Sequence, residues 1–281
     1  MKVLFCSKNL KSIFKLHDIN LLKKNFNVIE LDFGKYYKFK SLIFSVIKSI
    51  FTSYDIIIFY FADVYFTPII SLIAKLKRKK IIIFAGGDDI ANVAIINWGK
   101  MKTWWKRIIQ KFNFFICDYI IAFSFFSYMD ICKLAKKNKI NVIYPEINVD
   151  FYKPNEYKKE NLIITTCVFI NKISYIQKGI DIFIKSAKYF PNFTFLIIGE
   201  VDKNDIELKN IIINSPKNVV FTNRFISEEE KLRYFQQSKV YVQASAHEGF
   251  GIAVAEAMSC ECIPIGAMYT SLWEVIGDAG Y

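Results

Sequence analysis

The sequence predicts an α/β protein built of two doubly wound domains, and three observations carry that expectation. Short runs of β-branched and aromatic residues alternate with amphipathic stretches of about 10 to 15 residues. The alternation lapses once, over residues 144–160, and then restarts. With 281 residues, 53% of them hydrophobic and 23% charged, the chain exceeds the ~150 residues of an ordinary domain and can bury two cores. That composition also excludes a disordered chain and a collagen.

In the first half, strands are expected at 2–6, 27–32, 55–60, 80–84, 119–122 and 141–143. Their apolar side chains run continuously, as a parallel sheet covered on both faces requires. Helices are expected between them, near 11–25, 38–52, 66–78, 101–115 and 127–137. The nearly uncharged run 56–74 is about as long as a bilayer-spanning helix. Asp63 and Pro68 interrupt it, so it is read as a strand followed by a helix. Residues 144–160 hold two of the six prolines and end in a charged run, as linkers do. The boundary is placed near residue 152, giving domains 1–152 and 153–281.

The second half repeats the pattern, with strands at 162–168, 194–198, 219–222, 240–243 and 263–266. Its helices fall near 178–189, 203–214, 227–236, 251–259 and 270–276. Gly280-Tyr281 reads as a strand just beginning, which implies that the last part of the second domain is missing. Tandem domains of this class are expected to face a cleft, with ligands held outside the carboxyl ends of the strands.

The net charge of +12 is unevenly spread. Residues 1–150 carry 24 basic and 11 acidic side chains, whereas residues 151–281 carry 14 and 15. An anionic partner of the first half, or a lysine-rich solvated surface, would each account for this. Six cysteines without C-x-x-C spacing lie mostly in apolar runs, as reduced thiols do. Two histidines are too few for an imidazole zinc cage. Residues 1–12 lack the apolar length of a secretion signal, so the expected location is cytoplasmic.

Chemistry concentrates at 245–258, where a strand is followed by Ser-Ala-His-Glu-Gly-Phe-Gly and then a helix. Gly249 and Gly251 permit close backbone approach, and a helix N-terminus attracts an anion such as a diphosphate. Glu248 and Glu256 can accept hydrogen bonds from hydroxyls on either side of it. A phosphate site between two hydroxyl acceptors outlines a nucleotide sugar. An acidic pair that only stabilises the helix dipole is the competing reading.

Glu248-Gly-Phe-Gly, Glu256-Ala-Met after seven intervening residues, and Cys262-Ile-Pro264 together resemble the E-x7-E signature of family-4 retaining glycosyltransferases of the GT-B fold. Ile147-Asn148-Val149-Asp150 with Phe151 and Pro154 is similar to that family's linker, and Lys178-Gly179 to the K-G of its donor domain. The resemblance covers both domains and is specific from about residue 144. It implies two Rossmann-like domains, the first on the acceptor side and the second binding the donor. It also implies that Lys178 and Lys172 contact the donor diphosphate, the latter where the family usually has arginine. Glu248 would hold the transferred sugar, Glu256 the ribose, and the backbone of Gly249, Phe250, Gly251 and Ile252 the phosphates. Phe225 falls where the family packs the nucleobase, although a single Phe among 27 is more simply a core residue. Glu261 replaces a family glycine, so the turn there is expected to differ. Ser7-Lys8-Asn9-Leu10 stands in place of the family's Gly-Gly loop. Asp88, in Gly86-Gly87-Asp88-Asp89, is the candidate polar partner of donor sugar or acceptor; capping of the next helix by Asp88 or Asp89 is the alternative.

The implied function is transfer of a hexose, with retention, from a nucleoside diphosphate sugar to a glycan or lipid-linked acceptor, with no essential metal and no further cofactor. The basic first half, with Trp98, Trp104 and Trp105 among Lys100, Lys102, Lys106 and Arg107, suggests peripheral contact with an anionic membrane surface; burial of the tryptophans in the core is the alternative. Competing functions are a GT-B epimerase or phosphorylase, or a non-enzymatic binder of an anionic polymer. No nucleic-acid module is recognisable, and no nucleic-acid partner is expected.

Overall fold

The computed structural model describes residues 1–10, 12–34, 38–156 and 158–281. The expected helix start at residue 11 and position 157 of the expected linker lie outside them. Met1–Asn92 with Gly99–Tyr144 form one compact unit, and Val93–Trp98 with Pro145–Tyr281 form another.

The first unit runs β1 (Lys2–Ser7), α1 (Ile13–Lys23), β2 (Asn27–Asp32), α2 (Lys38–Phe51), β3 (Ile56–Tyr60), α3 (Phe66–Leu76), β4 (Lys80–Ala85), α4 (Trp104–Ile116), β5 (Tyr119–Ala122), α5 (Phe125–Cys132) and β6 (Ile140–Val142). Its sheet is parallel throughout, in the order β2-β1-β3-β4-β5-β6. Leu4, Ile57, Phe59, Ile81, Ile83 and Ile120 are fully buried within it. The apolar run 56–74 is divided as expected, between β3 and α3. Asp63 makes the division: its Oδ1 accepts from the N–H groups of Tyr65 (2.8 Å) and Phe66 (3.0 Å), two donors at the helix start. Pro68 sits in the first turn, where its missing N–H costs nothing.

The second unit runs β7 (Glu160–Ile170), α6 (Lys172–Gln177), α7 (Ile180–Ala187), β8 (Thr194–Val201), α8 (Ile206–Ile213), β9 (Val219–Phe221), α9 (Glu228–Gln237), β10 (Ser238–Gln243), α10 (Ile252–Ser259), β11 (Ile263–Gly266) and α11 (Leu272–Ile276). This sheet is also parallel, in the order β11-β10-β7-β8-β9. Successive strand residues enter opposite cores: Ile164, Leu196 and Ile198 one, Ile163, Phe195 and Ile197 the other. Tyr281 bonds to β11 through its N–H to Pro264 (3.0 Å) and its carbonyl to Gly266 (2.7 Å). The six cysteines are free, five of them buried.

Two local outcomes differ from expectation. A separate helix, α6, precedes α7, because Asn171 and Ser174 cap it reciprocally while Gly179 turns left-handed (φ 66°) and ends it. Glu261, where a different turn was expected, keeps the left-handed turn with φ 62°. Its N–H bonds to Met258 O and that of Cys262 to Ala257 O, the paired closure of a helix C-terminus. A non-glycine residue there costs about 1–2 kcal/mol.

Candidate donor site

The centre of the site is Glu248, in the loop between β10 and α10. Its Oε1 accepts from Lys178 Nζ (2.6 Å), Ser245 Oγ (2.8 Å) and Gln243 Nε2 (3.1 Å). Gln243 in turn donates to Ser245 Oγ (2.6 Å) and accepts from the hydroxyl of Tyr241 (2.7 Å), which lies 2.7 Å from Thr166 Oγ1. A buried polar chain thus runs from the sheet to one oxygen of the carboxylate. Burial lowers the Lys178 pKa, but the Glu248 charge and hydrogen bond outweigh it, so the ammonium titrates above its ordinary value.

Gly179 is what brings Lys178 there. A Cβ at Gly179 would lie 2.1 Å from the Ala244 carbonyl oxygen, so only glycine lets the α6–α7 turn approach the end of β10. Gln177 completes the contact, donating to the His247 carbonyl (2.8 Å) and accepting from the Ala246 N–H (2.8 Å). The His247 ring packs on Trp98 with centroids 5.4 Å apart.

The loop 248–251 is held from behind by Ser271, whose Oγ lies 3.0 Å from the carbonyls of both Glu248 and Phe250. Gly251 has φ 100°, and a Cβ would meet Leu272 Cδ2 at 2.4 Å. Ile252 opens α10, and the N–H groups of Val254 and Ala255 return to the Gly251 carbonyl.

Glu256 is buried on α10 and faces a different set of partners. Its Oε2 is 3.0 Å from Lys231 Nζ on α9, and Lys231 also pairs with Glu228 at 2.9 Å. The Tyr152 hydroxyl donates to Glu228, and the Lys231 ammonium stands 5.2 Å from the Tyr152 ring centre. Burial pushes the Glu256 carboxyl upward, with Lys231 opposing.

The remaining candidates are distributed. Lys172 is exposed at the start of α6 and pairs with Glu207 (2.5 Å), so the two candidate diphosphate lysines are held by different carboxylates. Phe225 is exposed in the loop after β9, beside an Arg224–Glu230 ion pair. In the first unit, Asp88 is half-exposed with Lys100 Nζ 3.3 Å away. Asp89 is fully buried and accepts from the N–H groups of Gly87 (2.9 Å), Gly86 (3.4 Å) and Ala62 (3.4 Å), closing its own loop backwards. Burial raises its carboxyl to about 6, with Lys100 opposing. Among the described residues no group of three or more His, Cys, Asp or Glu is placed to hold a metal ion.

Sequence reasoning passed over Gln243, Ser245, Tyr152, Lys231 and Ser271. The polar pair three and five residues before Glu248, following an apolar strand, was a readable signal for the first two. Tyr152 and Lys231 meet Glu256 only through the fold.

Residues 148–280 match the family described as Glycosyl transferases group 1. Alpha-galactosylglucosyldiacylglycerol synthase of Streptococcus pneumoniae is 31% identical over 110 residues, 37% of this chain and 29% of that protein. Putative glycosyltransferase 41 of Sulfolobus islandicus filamentous virus is 29% identical over 136 residues, 41% of this chain and 42% of that protein. The chain therefore matches less than half the length of these curated relatives. Among solved structures, Anabaena HepE in complex with UDP-glucose has a TM-score of 0.76 at 16% identity, over 98% of this chain and 82% of that one. Sucrose-phosphate synthase from Thermosynechococcus elongatus has a TM-score of 0.71 at 14% identity, over 97% and 82%. The second unit is thus a domain of the glycosyl transferases group 1 family, in a chain with the two-sheet α/β fold of GT-B glycosyltransferases.

Proposed function

We propose that the protein is a retaining glycosyltransferase that moves a hexose from a nucleoside diphosphate sugar to a glycan or lipid-linked acceptor. The observation that carries this reading is the Lys178–Glu248 pair beside the glycine-flanked start of α10. Three donors saturate Glu248 Oε1 and fix the carboxylate, leaving Oε2 to accept from a sugar hydroxyl. Lys178 stays cationic through neutral pH and supplies positive charge for a diphosphate at the α10 N-terminus. Lys172, on the surface, can add charge to the same group.

In this reading the backbone of Gly249, Phe250, Gly251 and Ile252 cradles phosphate, Glu256 accepts from the ribose hydroxyls, and Phe225 packs on the base. Asp88 serves the sugar or acceptor from the first unit, which receives the acceptor at an anionic surface. The C–O bond to the diphosphate breaks as the acceptor oxygen bonds to the same face of the anomeric carbon, and the departing phosphate takes the acceptor proton. The protein's contribution is charge placed where the leaving group forms. The relatives' names and the UDP-glucose complex of HepE support a nucleotide-sugar donor.

Thermal stabilisation by UDP, GDP, ADP and their sugars tests this, because ligand bound to the folded state raises its stability. A shift with one nucleotide, absent in Glu256→Ala, is expected. No shift with any of them overturns the donor-site reading.

A further inference from the structure

Three neighbouring helices of the first unit bury polar side chains while leaving large apolar ones exposed. α3 packs between α2 and α4, and all three turn small or polar side chains inward. On α2 the fully buried stripe is Ser41, Ser45 and Ser49, at intervals of four; on α3 it includes Thr67 and Ser71; on α4, Gln110 and Asn113. Ser41 donates to the Phe33 carbonyl (2.6 Å), which ties α2 to the loop before it, and Asn113 donates to Gln110 Oε1 (3.1 Å) within α4. Phe66, Ile70 and Phe114 share that buried side, but other large apolar residues point outward: Phe51 is 84% exposed and Ile47 49% on α2, Leu76 85% on α3, Trp104 72% and Phe115 73% on α4.

An apolar face of this extent left in water is not what the hydrophobic effect selects. Small residues at helix contacts with polar side chains as fasteners, and large apolar residues outward, are the rule where the surroundings are lipid. No helix among the described residues is long and apolar enough to cross a membrane, so the face would lie on a bilayer. Charge selects the kind of bilayer. α2, α3 and α4 contain no acidic residue, while Lys40, Arg107 and Lys111 on them and Lys102 before α4 are exposed cations. Such a surface is attracted to anionic headgroups.

We propose that the α2–α3–α4 face is a docking surface for an anionic lipid bilayer, with Phe51, Leu76, Trp104 and Phe115 entering the acyl boundary. This differs from the stretch expected from sequence, since Trp98 packs on His247 and Trp105 on Tyr65. The inference rests on the proposed reading of the first unit as the one that meets its acceptor at an anionic surface, and names the face that does so.

Flotation of the full chain with vesicles of phosphatidylglycerol and phosphatidylcholine tests it, against pure phosphatidylcholine. Binding is expected only with the anionic vesicles, to fall with salt, and to drop at least ~10-fold in the triple variant Phe51→Ser, Leu76→Ser, Phe115→Ser. All three side chains are exposed, so the variant should melt within ~2 °C of the parent. A second variant, Lys102→Gln with Arg107→Gln and Lys111→Gln, should abolish the preference for anionic lipid. No flotation at low salt, or equal flotation of the triple variant, overturns the proposal. A concentration-dependent dimer that the triple variant dissociates, without flotation, would assign the face to a second copy and also overturn it. Nucleotide-induced stabilisation is read on the same samples: its absence with flotation intact sinks the donor reading alone.

Discussion

Glu248 and Asp89 are both carboxylates in loops after strands, yet their surroundings give them opposite uses. Glu248 is partly exposed and matched by the Lys178 ammonium at 2.6 Å. Glu248→Gln keeps an acceptor oxygen but loses the charge facing Lys178. Turnover is expected to fall by roughly 10²-fold or more, with donor affinity changing far less; steady-state kinetics beside nucleotide titration checks this, and unchanged turnover would remove Glu248 from the reaction. Asp89 is instead buried, and its carboxyl is raised from 3.8 to about 6. The folded state therefore holds a proton that the unfolded state has released between about pH 4 and 6. Its contribution is greatest below that window and is lost as pH rises through it, by roughly 2–3 kcal/mol. Asp89→Asn should flatten that part of the stability curve in denaturant titrations from pH 4 to 7. An unchanged slope would assign the pH dependence to other groups.

The geometry of the candidate donor site depends on where short elements start and stop. Gly179 separates α6 from α7, and any side chain there meets the Ala244 carbonyl at φ 66°. Gly179→Ala is expected to cost about 3 kcal/mol or more and to displace Lys178, whereas Asn171→Ala, which removes a cap one helix earlier, should cost about 1 kcal/mol. Equal melting of the two variants would contradict the close approach. The α9–α10 contact carries a comparable constraint. Lys231→Met leaves the Glu256 carboxylate buried without its cation, a loss of about 3–5 kcal/mol, and nucleotide stabilisation should vanish with it. Most element positions were legible from sequence, because a strand's apolar run and a helix's polar face are local properties. The α6 helix was missed because six residues are too few to show a period, and only its reciprocal cap marked it.

The two units have separate cores, one around Ile57 and Ile83, the others around Ile164 and Ile197. Calorimetry should therefore resolve two transitions, of which a nucleoside diphosphate raises only that of the second unit; an equal shift of both would contradict a donor site confined to it. The expectation of two parallel α/β sheets followed from alternation alone, since segments whose strands are apolar on every side must be covered by the helices between them. The segment from Glu248 to Glu256 was also visible, as glycines and carboxylates at a strand-to-helix junction have few uses. Contacts over long sequence separations were not visible. That Lys178 reaches Glu248 across 70 residues, that Tyr152 and Lys231 close on Glu256, and that α2, α3 and α4 each turn polar side chains inward depend on which face an element presents to its neighbours. Local propensity sets the period of a helix or strand; the direction in which that period points is set only when the sheet assembles and buries one side.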